Sequence, residues 1–190
     1  WLQSDAKELI VEQGRVVGAL VEKDGKPLRV QARNGVILAA GGFSRNQAMR
    51  EKYQPAPITT QWTAASPVNT GSGILMGERI GAALALMDEA WWTPVTLLPG
   101  KAFSWLIVVE KSMPGCIMVD SNAKRFVNEA APYVDVVKAM YANHSSENST
   151  IPAYLIFDAR YRREYPCGIA APGKYQPDKR LPRKIRDGFF

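Results

Sequence analysis

The feature that most constrains the fold is an apolar run that ends in two glycines, residues 35–43 (GVILAAGGF). Residues 36–40 are apolar on both faces, which is typical of a strand buried in a parallel sheet. Two glycines directly after such a strand let the backbone approach a ligand at the carboxyl edge of the sheet, where these sheets bind cofactors. A tight strand-to-helix turn without a ligand would use the same residues. The run by itself therefore leaves both interpretations open.

The segment before this run consists of short β-rich pieces separated by turn signals. Each piece is followed by a pair that ends in glycine: 9–11 by Gln13-Gly14, 16–21 by Asp24-Gly25, and 28–32 by Asn34-Gly35. Such pairs suit turns that need positive φ. The pattern predicts a three-stranded meander that leads into a fourth strand at 36–40.

Two helices are predicted after the Gly-Gly turn. The first is short and polar, with Ser44 as its N-cap, and runs to Tyr53. The second covers 74–87, where apolar and small residues recur at helical spacing. Each glycine inside a helix costs about 1 kcal/mol relative to alanine, so those in this segment indicate close packing on a sheet or beside a ligand.

The character of the chain changes near Trp91-Trp92, where shorter apolar runs separated by proline and glycine begin. We predict a domain boundary there, between residues 1–92 and 93–190, with the two tryptophans packed at the junction; contact with the substrate is their alternative role. The second part is predicted to contain strands at 116–120 and 153–158, a further strand or its exit at 125–129, and a helix at 130–141. The whole chain is thus predicted to be an α/β protein, α+β overall.

Composition excludes several classes of function. The 190 residues are 46% hydrophobic and can supply a core. The net charge of +6 comes entirely from residues 160–190, which hold nine basic and three acidic residues, so it is weak evidence for nucleic acid as a partner. Two cysteines and one histidine provide no disulfide framework, no metal site and no Ser-His-Asp machinery. No apolar run approaches the roughly 20 residues that span a bilayer.

Taken together, the motifs resemble the flavoprotein subunits of the fumarate reductase and succinate dehydrogenase superfamily. Within it, residues 88–92 (DEAWW) and 125–134 (RFVNEAAPYV) resemble the 3-ketosteroid Δ1-dehydrogenases. The resemblance implies part of a Rossmann-like FAD-binding domain at 1–92, followed by part of an α+β substrate (capping) domain at 93–190. The chain begins with Trp1 and contains no GxGxxG after a strand, so we expect an internal piece of a longer protein.

The resemblance implies two cofactor-binding segments. FAD contacts are expected from the following residues: Ala39, Ala40, Gly41 and Gly42 in the first segment, and Asn69, Thr70, Gly71, Ser72 and Gly73 in the second. Ser72 stands where the family usually has an acidic residue, so it is either a polar contact or simply a helix N-cap. Phe103 and Trp105 either line a steroid pocket or belong to a core strand.

Tyr133 discriminates most sharply between branches of the superfamily. Fumarate-reducing relatives usually carry an arginine at this offset after Asn-Glu, whereas this chain has a tyrosine behind a proline. An aromatic hydroxyl suits a large apolar substrate and can act as a base where its surroundings favour the phenolate. In the resembling family this tyrosine belongs to the pair that abstracts a proton. A helix tyrosine used for packing is the alternative interpretation.

The predicted function is that of an FAD-dependent oxidoreductase that introduces a double bond between carbons 1 and 2 in ring A of 3-ketosteroids. The expected partners are the steroid and an external electron acceptor, without nucleic acid, metal or a transmembrane segment. We expect a cytoplasmic location, with membrane association only through the lipophilic substrate. The alternatives are a fumarate- or enoate-reducing flavoprotein, and a truncated, non-catalytic protein that binds an anionic surface through its basic end.

Overall fold

The computed structural model describes residues 1–97 and 104–189, with side chains as far as Arg186. The chain divides into two compact units. The first consists of Trp1–Tyr53 and Ala65–Met87, and the second of Gln54–Ala64 and Asp88–Phe190. The chain therefore passes from one unit to the other three times.

A three-stranded antiparallel sheet forms the start of the first unit. Its strands follow in chain order: β1 (Ser4–Glu12), β2 (Arg15–Lys23) and β3 (Lys26–Gln31). Both residues of each connecting pair have positive φ, with Gln13 at 51° and Gly14 at 77° in the first turn. Such turns match the right-handed twist of the flanking strands. The predicted meander is confirmed.

The predicted strand at 36–40 is wrong for this chain. No ladder partner exists for it among the described residues, and the side chain of Ile37 is 93% exposed. A central strand of a parallel sheet depends on neighbours at both sides, because each supplies half of its backbone hydrogen bonds. The meander is antiparallel and does not extend to these residues.

The two helices of the first unit are shorter than predicted. Helix α1 (Gln47–Tyr53) is capped by Asn46, whose side-chain oxygen accepts from the Met49 amide at 3.1 Å, and not by Ser44. Helix α2 (Ser72–Arg79) ends well before residue 87. Gly81 has a φ of +85°, and its amide donates to the Glu78 carbonyl while the Ala82 amide donates to that of Gly77. This pair of bonds is a Schellman motif, so Gly81 ends the helix.

Small sheets and short helices make up the second unit. In chain order the elements are β4 (Val95–Leu97), β5 (Ser104–Leu106), β6 (Cys116–Val119), α3 (Tyr133–Asn143), β7 (Tyr154–Phe157), α4 (Ala159–Glu164) and α5 (Arg183–Phe189). Strand β4 pairs with β5, and β6 with β7, both antiparallel. The strand predicted at 125–129 is reduced to a single bridge between Val119 and Arg125. The mixed α/β character predicted from sequence is confirmed.

The core of the second unit gathers around a buried tyrosine. The ring of Tyr161 stacks on Phe157 with centroids 4.9 Å apart, and its hydroxyl donates to the Glu110 carbonyl at 2.9 Å. Burial raises the pKa of the Tyr161 hydroxyl, so it remains a neutral donor. Val136 and Val137 bury the inner face of α3. In the described part of the chain, every helix is too short or too polar to cross a bilayer.

Candidate functional site

The structure brings the two predicted FAD segments into direct contact. The Gly71 amide donates to the Gly42 carbonyl at 3.0 Å. The Arg45 amide donates to the Asn69 carbonyl at 2.9 Å, and the Asn46 side chain donates to the Thr70 carbonyl at 3.0 Å. Residues 69–71 are therefore anchored on the turn that follows the Gly-Gly pair, although the two segments lie almost 30 positions apart in the chain.

Two glycines are required where these segments meet. Gly41 has a φ of +79°, and a Cβ atom there would lie 2.7 Å from the Asn69 side-chain oxygen. Gly71 has a φ of +80°, and its Cβ would lie 2.5 Å from the Met49 sulfur and 2.9 Å from the Phe43 Cβ. Both positions combine a left-handed backbone with a close approach, which only glycine accommodates without strain.

The outer side of this contact consists mainly of exposed backbone. Ala39, Ala40, Gly41 and Gly42 are all exposed, and a Cβ added at Gly42 would meet no described atom within 4 Å. Gly71, not Ser72, occupies the N-cap of α2, so the interpretation of Ser72 as the cap is wrong. The first amides of a helix have no partner within it and lie at the positive end of its dipole.

These residues fit part of a dinucleotide. Backbone amides beside a Gly-Gly turn bind oxygen-rich, anionic groups without any side chain in the way. A cradle of this kind also explains why Gly73 is small. A Cβ there would lie 3.1 Å from that of Ala40, so the helix start and the turn could not stay as close with a larger residue.

Tyr133 is the first residue of α3, and Pro132 directly precedes the helix. The Tyr133 hydroxyl accepts a hydrogen bond from the indole nitrogen of Trp91 at 2.5 Å. The Trp91 side chain is 82% exposed, whereas Trp92 is buried with its ring centroid 5.5 Å from that of Tyr141. Trp92 therefore packs within the second unit and Trp91 does not, while packing at a domain junction stays a prediction for both.

The turn before Tyr133 is held by charged groups on its inner side. Arg125 forms an ion pair with Glu129 at 2.6 Å, and the Met118 amide donates to the same carboxylate at 2.7 Å. Desolvation raises the pKa of Glu129, but the hydrogen bonds from Arg125 and Met118 outweigh it and hold that pKa below its usual value. The carboxylate is therefore charged and structural.

Lys111 is the residue of this region that sequence reasoning missed. Its side chain is 1% exposed, and its ammonium donates to the carbonyls of Glu129 and Ala131, each at 2.7 Å. Lysine is almost never fully buried unless paired, so no local pattern marks such a position. Only the fold brings it to a turn 18 to 20 positions further along the chain.

Of the two predicted pocket residues, the structure describes only Trp105. Phe103 lies outside the described residues. Trp105 lies in β5, where its indole nitrogen donates to the Glu110 carboxylate at 3.2 Å. Its contact with a steroid remains a prediction.

Comparison with protein families matches residues 1–185 to the FAD binding domain. The chain belongs to this family. The predicted FAD cofactor is confirmed at the level of the family, as is the assignment to an FAD-binding fold. The roles of the individual residues in the two FAD segments remain predictions.

Relatives of this FAD-binding chain include steroid dehydrogenases. It is 45% identical over 183 residues to the 3-oxosteroid 1-dehydrogenase of Mycobacterium tuberculosis (strain ATCC 25618 / H37Rv), covering 92% of this chain and 32% of that protein. The corresponding protein of Mycolicibacterium smegmatis (strain ATCC 700084 / mc(2)155) is 43% identical over 189 residues, covering 95% and 33%. The predicted resemblance to this branch is confirmed.

A solved structure agrees with these relatives. The 3-ketosteroid delta1-dehydrogenase from Sterolibacterium denitrificans, in complex with 1,4-androstadiene-3,17-dione, superimposes with a TM-score of 0.91 and 43% identity. The match covers 97% of this chain and 33% of that one. The chain thus spans about a third of the length of the relatives it matches.

Proposed function

We propose that this chain forms part of an FAD-dependent dehydrogenase that introduces a double bond between carbons 1 and 2 in ring A of a 3-ketosteroid. One observation carries the proposal: a tyrosine hydroxyl presented at the start of α3 accepts a hydrogen bond from an exposed indole. The similarity to 3-oxosteroid 1-dehydrogenases supplies the substrate class. The rest of the enzyme would come from residues outside these 190.

In this proposal Tyr133 is the base that removes the proton from carbon 2. Its oxygen accepts the Trp91 N–H, which holds the hydroxyl in one position at the start of α3. When bound, FAD supplies an acceptor for the hydride that leaves carbon 1. Because proton and hydride leave adjacent carbons, the main task of the chain is to position the base.

The cofactor would be held by the contact between the two FAD segments. Residues 39–42 and 69–73 would contact it through exposed backbone and the first amides of α2, and Ser72 would add a hydroxyl. Residues 93–190 would begin the substrate domain, with Phe103 and Trp105 near the steroid. An external electron acceptor would be needed to reoxidise the flavin after each turnover.

Two basic residues near the end of the chain have acidic partners within the same segment. Arg162 is buried, and its guanidinium binds the Asp178 carboxylate at 2.8 Å and the carbonyls of Ala171 and Gln176. Lys174 forms an ion pair with Glu164. These two positive charges are therefore engaged within the fold, but each pairs with one of the three acidic residues of 160–190, so the excess of six positive charges in this segment remains.

The proposal is tested by Tyr133→Phe in the complete enzyme. Turnover of a 3-ketosteroid with an artificial electron acceptor should fall by at least about 100-fold, because the base is lost. The flavin spectrum of the purified protein should be unchanged. Unchanged turnover would remove Tyr133 from the mechanism.

Tyr141→Phe is the matched control. This tyrosine lies on the same helix, but its hydroxyl donates to the Pro57 carbonyl at 3.0 Å. It should retain the turnover of the parent within about threefold, since one neutral hydrogen bond contributes about 1 kcal/mol to stability and none to the reaction. Fumarate reduction with a reduced dye, at a rate above that of steroid oxidation, would instead favour the carboxylate-reducing alternative.

A further inference from the structure

Lys111 is a buried cation that the proposed reaction does not use directly. It lies in the short 3₁₀ turn Glu110–Ser112, and its side chain is 1% exposed. Its ammonium donates to the carbonyls of Glu129 and Ala131 at 2.7 Å each, and lies 3.3 Å from the Ser112 hydroxyl. All three donors of the ammonium thus have a partner.

Both carbonyls belong to the turn that leads into α3. Ala131 precedes Pro132, whose ring fixes its backbone φ, and Tyr133 follows as the first helical residue. The Ser112 hydroxyl also contacts the Glu129 carbonyl, at 3.3 Å. Lys111 therefore anchors the backbone at Glu129 and Ala131, and the buried Val136 and Val137 anchor α3 directly after it.

An ammonium is an unusual choice for this anchor, because burying a charge is costly even when it is hydrogen-bonded. Desolvation lowers the pKa of Lys111, which is the expected mark of that cost. The flexible stem of lysine ends in a compact group that reaches two carbonyls with one atom. Such a contact fixes the spacing of the two carbonyls, which a single neutral donor would not do.

We propose that Lys111 is a positioning residue for the dehydrogenation. By holding the carbonyls of Glu129 and Ala131, it fixes the start of α3 and thereby places the Tyr133 hydroxyl against carbon 2 of the steroid. The inference rests on the proposed function and adds to it a residue that touches neither substrate nor cofactor.

The test is Lys111→Met in the complete enzyme, which keeps an unbranched side chain only one atom shorter and removes all its donors. We expect kcat to fall about 10- to 100-fold, because a displacement of 1 Å at the reacting centre costs on the order of 100-fold. KM for the steroid should change by less than about threefold, since ground-state contacts are retained. The deuterium isotope effect for a substrate labelled at carbon 2 should rise, because proton abstraction becomes slower.

Lys138→Met is the matched control. This lysine lies on α3 itself, but it is exposed and pairs with Glu89 at 2.9 Å on the surface. Exposed ion pairs contribute little, so kcat and the isotope effect should stay within about twofold of the parent.

Three results distinguish a positioning role of Lys111 from a purely structural one. If folded Lys111→Met has the kcat and isotope effect of the parent and only a lower melting temperature, Lys111 is purely structural and the inference is overturned. If this variant does not fold, Ser112→Ala decides, because it keeps the Lys111 ammonium and its two 2.7 Å contacts and removes only the two weaker contacts of the Ser112 hydroxyl, with the Lys111 ammonium and with the Glu129 carbonyl, each at 3.3 Å. A raised isotope effect with a kcat loss of about two- to fivefold would then support the role, and parent values would overturn it. Full turnover of Tyr133→Phe would contradict the role of Tyr133 as the base. Because that variant is measured separately from any Lys111 variant, the two proposals can fail independently.

Discussion

Gly71→Ala tests whether the two FAD segments are as closely packed as the structure places them. The new methyl group would lie 2.5 Å from the Met49 sulfur and 2.9 Å from the Phe43 Cβ. The sulfur is near the end of a flexible side chain, but Met49 is buried and has little room to move. The Phe43 Cβ is attached to the backbone, so it can yield only if the turn after the Gly-Gly pair shifts.

The expected cost has two parts. An L-residue at a φ of +80° costs about 1–2 kcal/mol, and overpacking adds about 1–3 kcal/mol. The free energy of unfolding of the first unit should therefore fall by about 2–5 kcal/mol.

Gly14→Ala measures the backbone part alone, so that its difference from Gly71→Ala gives the steric part. Gly14 has nearly the same φ, +77°, and lies in the same unit, but its added Cβ would meet no described atom within 4 Å. It should cost only the backbone term, so the two variants should differ by about 1–3 kcal/mol.

Native-state hydrogen exchange at the amides of β2, read by mass spectrometry on the full chain, gives the free energy of opening of the first unit. Equal destabilisation by the two variants, within about 0.5 kcal/mol, would refute the close contact of Gly71 with Met49 and Phe43.

Three further outcomes are expected. Trp91→Phe in the complete enzyme removes the donor to Tyr133 and should lower kcat about 10- to 100-fold, since hydrogen bonds to charged groups are worth about 1.5–3 kcal/mol; steady-state kinetics with parent-like kcat would contradict this role. The pKa of Glu129 is lower in the folded chain than in the unfolded one. The ionised carboxylate therefore stabilises the folded chain at pH values above the unfolded pKa of about 4.3, and this stabilisation is lost as the pH falls through the folded pKa. Melting temperatures measured between pH 3 and 7 should therefore fall less steeply at the acidic end for Glu129→Gln. Burial raises the pKa of Cys167 to about 11, so iodoacetamide at pH 8 should alkylate it far more slowly in the folded chain than in urea, and equal rates would exclude this shielding.

Local chemistry made the meander predictable. Each of its turns is specified by two adjacent residues that tolerate positive φ, as at Gln13-Gly14, and the strands follow from the turns. Residues 36–40 illustrate the opposite case, because an apolar run becomes a strand only if other strands pair with it. The prediction of where α2 ends was wrong for a third reason. Helical spacing continues past Gly81, and the sequence pattern does not reveal which glycine adopts the left-handed conformation that stops a helix.

The candidate site likewise contains features that local sequence motifs indicate and features that depend on tertiary contacts. The assignment of the Gly-Gly turn and the segment starting at Asn69 to one cofactor comes from the resemblance to the family and stays a prediction, and the structure adds that the two segments are in direct contact. Lys111 and the indole of Trp91 could not be foreseen, since each reaches its partner through tertiary contacts across 18 or more positions.

The threefold passage of the chain between its two units limits how its parts can be exchanged. Residues 54–64 belong to the second unit although the first unit flanks them in the chain, and they supply the carbonyls that accept from Tyr141 and, at Gln61, from Ser104. A single cut after Met87 would leave these acceptors on the wrong polypeptide. Recombination between relatives should therefore preserve function only when residues 54–64 are inherited together with the segment that begins at Asp88.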